Sequence, residues 1–326
     1  MKLLSLHMDG LGGSPLPTVS SAPDLDGPVG GAPKKRRETR KRICRFLESQ
    51  GLRCDTQINQ AAETLGLGDA PSRAGQALLS LEIPQWFQLS SHSERERDLA
   101  FGAVLLALRQ ELKRLSSGED RLEGRAFLEG FRSVYRQYFD DLRHPFWELS
   151  QALISKSNEA SQWFTQNRSR RQAAYTASDL SRRGEEFLFT AVCPAALCYL
   201  QGRPGMAVAI EDMVLALGCG LQLLVDQRHV ERDVQERRYT PVVVDLLLED
   251  PLLEVEGFHP TNGVAEALAK NLFRAQLYLC QAETLCEEMS LSQGLASIRN
   301  LLIQVGEQLL KLSSQPSHTD SKPRRA

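Results

Sequence analysis

The chain contains no C-x-x-C pair and no histidine at zinc-finger spacing, although it has seven cysteines: Cys44, Cys54, Cys193, Cys198, Cys219, Cys280 and Cys286. That excludes the short-spaced zinc and dithiol motifs. Most of these cysteines sit inside apolar helical patterns, as small buried hydrophobes do in a reducing cytosol. An excess of charge of one sign is missing too. With 39 basic and 41 acidic residues among 326, the net charge is −2, which excludes a surface built throughout for nucleic acid and leaves only a local basic patch for such a partner. The opening residues, MKLLSLHMDGLGG, are too brief an apolar run for a signal-peptide core. No window of about 18 residues reads as uncharged and apolar enough to span a bilayer; Phe187 to Gln201 comes nearest, and Pro194 interrupts it. The expectation is a cytoplasmic protein without a transmembrane segment. Nor does any alternating run bounded by hairpin turns call for a sheet.

What is present reads as helix. Residues 1–36 form a Gly-, Pro- and Ser-rich tail with a basic end, a composition that cannot bury enough apolar surface to offset its ordering entropy. The run KKRRETRKR, Lys34 to Arg42, is either a nuclear-import or nucleic-acid patch or the solvated start of a helix continuing through Ile43, Phe46 and Leu47. Residues 37–313 form the domain, and residues 314–326 a second polar tail. Ser93 and Glu96 make a capping box for a helix stopped near Gly118. Further helices are expected over Leu122 to Phe139, after His144-Pro145, and over Gly184 to Gln201, where Gly202 to Gly205 break the chain. VVVDLLL after Thr240-Pro241 fits a helix or a buried strand equally. After Asn262, apolar residues recur every three or four positions from Leu268 to Met289 and again from Leu295 to Leu309, the pattern of an antiparallel helical hairpin. The fold class expected is all-α.

The stretch from Glu211 to Pro241 carries the chemistry. Leu217, Leu221, Leu224 and Val225 line an apolar helix that ends in acids, and Asp226 and Asp233 stand seven residues apart, two turns, so both carboxylates point the same way. Acids at the rim of an apolar cavity can hold a divalent metal against a diphosphate. Interleaved with Arg228, Arg232, Arg237 and Arg238 they equally describe a solvated, ion-paired face.

From Ser93 to Leu312 the order of features resembles the class 1 isoprenoid biosynthesis enzymes, of the trans-prenyltransferase and terpene-synthase fold. The resemblance is carried by ERERDLAFGAVLLAL, by YRQYFDDLRHPFW with Phe146-Trp147, by Arg183-Gly184 ahead of FLFTAVCPAALCYLQG, and by GLQLLVDQRHVERDVQERRYTP. It implies a single large helical bundle of the isoprenoid synthase type, with magnesium held between two acidic motifs to stabilise the diphosphate leaving group. Asp226 and Asp233 would then bind metal, with Glu111 as a weaker ligand, and Arg183, Arg182, Arg237 and Arg238 would grip diphosphate. The motifs are incomplete: Gln227 and Val230 replace acids of the second, and Lys113 and Arg114 stand where the first should begin. Asp140-Asp141 reads as turn chemistry. Two functions follow from the resemblance. One is magnesium-dependent ionisation of an allylic prenyl diphosphate, for prenyl transfer or terpene cyclisation. The other is a catalytically lapsed scaffold that binds an isoprenoid or regulates a partner enzyme. The partners to expect are such a diphosphate or another isoprenoid, with a homodimer or a partner enzyme as the protein contact and no nucleic acid.

Overall fold

The computed structural model describes residues 33–65, 67, 83–86, 94–116, 121–167, 169, 174–253 and 262–313. Among them every regular element is helical, in line with the all-α expectation. In chain order they are α1 (Pro33–Ser49), α2 (Thr56–Thr64), α3 (Ile83–Trp86), α4 (Glu94–Leu115), α5 (Leu122–Arg136), α6 (Pro145–Asn167) and α7 (Ala177–Glu185). A 3-10 turn (Leu188–Ala191) follows, then α8 (Val192–Leu200), α9 (Met206–Arg228), α10 (Val230–Gln235), α11 (Pro241–Glu249), α12 (Asn262–Glu288) and α13 (Ser292–Ser313).

The centre of the fold is α9, which packs on α12 and α7. It is apolar on nearly every side, and a helix of that kind must be enclosed by others. Ile210, Met213, Leu217, Leu221 and Leu224 are all buried. By length and composition α9 is apolar enough to cross a membrane, which the sequence reading passed over, yet 61% of its most apolar window is buried inside the protein. Glycines let its neighbours approach. A Cβ on Gly184 of α7 would lie 2.3 Å from the Leu215 carbonyl oxygen, and one on Gly220 would lie 2.9 Å from Leu279 of α12. Helices α12 and α13 pair as the expected hairpin, with Leu272, Ala275, Leu279, Ala282 and Cys286 buried along the stripe.

Five local readings fare differently in the structure. The apolar segment over Gly184 to Gln201 is broken into the end of α7, the 3-10 turn and α8, with Pro194 in the first turn of α8, where no intrahelical amide donor is needed. VVVDLLL is helical: Thr240 is extended at the N-cap and Pro241 presets the first turn of α11. Asp140 and Asp141 do make turn bonds, Asp140 Oδ1 accepting from Asp141 N at 2.9 Å and Asp141 Oδ1 from Arg143 N at 2.8 Å. The proposed cap Ser93 and the stop at Gly118 lie outside the described residues. On α1, Ile43 and Leu47 are buried while Arg37 and Lys41 face solvent.

Candidate functional site

The helix expected to carry both aspartates stops between them. At His229, φ −106° and ψ 10° end α9, and α10 begins one residue later. Both carboxylates nevertheless reach one cavity of about 290 Å³, lined from α2, α4, α6, α7, α9 and α10 and by Thr240. Leu65, Ala107, Phe164, Phe187 and Leu221 form its apolar wall; Glu111, Arg183, Glu186, Asp226, Asp233 and Arg238 are among its polar groups.

Arg183 organises these groups. A capping box of Thr176 and Asp179 opens α7, and the Gly184 contact presses that helix against α9. Arg183 Nη2 then donates to Asp226 Oδ1 at 2.6 Å and Oδ2 at 2.7 Å, while Nη1 donates to Glu186 Oε2 at 3.1 Å. Its guanidinium carbon lies 3.3 Å from the centre of the Phe164 ring, so the cation is stacked as well as paired. Gln222, one turn before Asp226 on α9, adds a bond to Oδ1 at 2.7 Å. On the facing helix, Arg114 clamps Glu111 through two bonds, Nε to Oε2 at 2.8 Å and Nη2 to Oε1 at 2.5 Å.

Burial pushes the Asp233 carboxyl up to about 7, with Asp226 adding to the shift and Arg232, Arg238 and Arg183 opposing it. The opposition is modest because the arginines stand off: Arg232 Nε is 3.8 Å and Arg238 Nη1 3.9 Å from Asp233 Oδ1. Glu186 is likewise raised to about 7, by burial first and then by Asp226, against Arg183 and Arg114. Both acids are therefore substantially protonated just below neutral pH. Several buried polar atoms around the cavity have no hydrogen-bond partner among the described residues: Gln110 Nε2, Arg183 Nε, Arg232 Nε and Thr240 Oγ1. Three are N–H donors and the fourth a hydroxyl, a set that asks for an acceptor.

Of the residues singled out in the sequence, Asp226, Asp233, Glu111, Arg183 and Arg238 share this cavity. Arg182 and Arg237 do not line it: Arg182 lies over the Trp163 ring at 5.2 Å, and Arg237 occupies a tight turn with φ 51°. Gln227 faces α12, its amide oxygen accepting from buried Asn271 at 3.0 Å, and Val230 joins an apolar cluster with Val234 and Val242. Lys113 points to Asn158 of α6 at 3.3 Å. Sequence reasoning missed Glu186, Gln222 and the role of Arg114. Each stands three or four positions from a residue it partners, the spacing of neighbours on a helix face.

Magnesium takes oxygen ligands in near-octahedral array, with one or two free carboxylates as its usual protein anchors beside waters and substrate phosphates. Here Asp226 and Glu111 are each engaged by a guanidinium, and among the described residues no three His, Cys, Asp or Glu side chains group as metal ligands. This arrangement of donors does not fit a magnesium cluster. No family model matches the chain, nor does any curated protein or solved structure.

Proposed function

We propose that this chain is a binding scaffold for a small amphiphilic anion that it holds without a divalent metal, in view of the resemblance a short prenyl diphosphate or related isoprenoid phosphate. The observation that carries the reading is the Arg183–Asp226 pair, which commits to an internal ion pair the carboxylate that a metal would need. The Gln110 Nε2, Arg183 Nε and Arg232 Nε donors, which make no hydrogen bond among the described residues, could serve an oxyanion, and the Phe164, Phe187 and Leu221 wall suits an attached hydrocarbon. At about 290 Å³ the cavity stands at the lower end of ligand-site volumes, roughly 300 to 1,000 Å³, which favours five- or ten-carbon chains over twenty. Titration calorimetry with geranyl diphosphate in EDTA tests this. Binding is expected without metal, weakened about tenfold by Arg232→Gln, the loss of roughly one charge-assisted hydrogen bond. Absence of binding in EDTA, with binding restored by magnesium, sinks the reading.

A second reading, a magnesium-dependent prenyl transferase or cyclase, has one observation in its favour: Glu111, Asp226 and Asp233 do border the same cavity. It requires the substrate to draw Arg183 and Arg114 away from their carboxylates.

A further inference from the structure

We infer that Cys44 and Cys54 form a redox-active dithiol, away from the cavity, that closes to an intrachain disulfide by exchange with a small disulfide. The chain folds back to bring them together. After α1, Leu52 N donates to Leu47 O at 2.9 Å across a turn in which Gly51 takes φ 69°, a left-handed conformation that suits glycine. Cys54 Sγ then donates to Asn59 Oδ1 at 3.5 Å, and the same oxygen accepts from Arg40 Nη2 at 2.8 Å. Arg40 and Cys44 are four residues apart on α1 and so share a face; the Arg40–Asn59–Cys54 chain therefore sets Cys54 beside that face. Cys44 is also close enough to Cys54 to push its thiol pKa up. Both cysteines are reduced and half-buried, whereas Cys193, Cys198, Cys219 and Cys286 are enclosed.

The exchange balances with a small disulfide such as oxidised glutathione as co-reactant. One protein thiolate attacks a sulfur of that disulfide and expels a thiolate; the second protein thiolate attacks the resulting mixed disulfide at the protein sulfur and expels the other. Two protein thiols are oxidised, both sulfurs of the small disulfide are reduced, and the two protons pass to the leaving thiolates. Burial pushes the Cys54 thiol up to about 11, with Cys44 adding and Arg40 opposing. Exchange should therefore be slow at neutral pH and quicken as pH rises toward 9. The bond would tie α1 to the segment entering α2, whose terminal Thr64 lines the cavity.

The test uses the full chain treated with oxidised glutathione at pH 8.5, blocked with N-ethylmaleimide, digested with trypsin without reduction and read by mass spectrometry. Trypsin cuts after Arg45 and Arg53, so the crosslink joins two otherwise separate peptides. The expected product links Cys44 to Cys54 with the loss of two hydrogens and carries no glutathione on either. Cys44→Ser and Cys54→Ser should each leave a stable glutathione adduct on the remaining partner. Persistent adducts on both cysteines of the unaltered chain overturn the inference. So does a crosslink of either one to a different cysteine, or recovery of both as free thiols while exposed Cys280 is modified.

Discussion

Arg183 is 5% exposed and Asp226 4%, so neither charge has water to fall back on if its partner is removed. Breaking such a pair leaves an uncompensated buried charge, at a cost of about 3 to 5 kcal/mol. Arg183→Met should therefore lower stability to urea by that order, and Asp226→Leu should do likewise. The double variant should recover a large part of the loss, because the surviving charge is then gone; additive losses in the cycle would show that the two do not interact. Asp233 and Glu186 behave oppositely to most paired acids. Their folded-state carboxyls titrate near 7, above the usual carboxylate range, so the folded chain binds more protons than the unfolded one between about pH 4 and 7. Their contribution is full below the unfolded values and is lost as pH rises through 7. Asp233→Asn should flatten the decline in urea midpoint between pH 5 and 8 and raise the midpoint at pH 8; an unchanged slope contradicts the assignment. The same protonation makes the cavity more cationic, so sulfate, whose charge is constant over this range, should bind more tightly at pH 6 than at pH 8 in a calorimetric titration.

Between helices, the most demanding contact is α7 against α9. A Cβ on Gly184 would sit 2.3 Å from the Leu215 carbonyl oxygen and 2.5 Å from Cys219 Sγ, and one on Gly218 would meet Phe187 at 2.8 Å. Backbone cannot yield as a side-chain tip does, so Gly184→Ala should cost about 1 to 3 kcal/mol of unfolding free energy as overpacking. It should also displace Arg183, visible as a changed near-ultraviolet dichroism from Phe164 and Trp163. Helix-scale features of this kind were partly legible. The stripe from Leu268 to Met289 announced α12 because its residues repeat every three or four positions. VVVDLLL was not decidable, since a short run apolar on all sides has no period to read. The break at His229 was invisible: no glycine or proline marks it, and α10 turns where Val230 enters the second apolar cluster. Of the five cavity residues named from the sequence, Glu111 is held by Arg114 one turn away, Arg183 and Asp226 hold each other across α7 and α9, and Arg238 approaches Asp233 from the turn after α10. The pairing itself, acid with arginine rather than acid with metal, depends on Arg183 and Asp226, 43 positions apart, and no local spacing encodes that.

At the scale of the molecule, an aliphatic bundle wraps α9 and leaves beside the end of that helix a small chamber with an oily wall and arginine–carboxylate pairs at its polar side. The cations that hold Asp226 and Glu111 both stabilise the fold and commit the carboxylates that metal-assisted diphosphate chemistry would need. In the proposed binding role, fixed arginines and amides capture the ligand without catalytic turnover. The most direct measurement is diphosphate release from geranyl, farnesyl and geranylgeranyl diphosphates by the purified chain in excess magnesium. The account predicts release no faster than in buffer alone for all three, with geranyl diphosphate still bound; magnesium-dependent release that Asp226→Ala abolishes would contradict it.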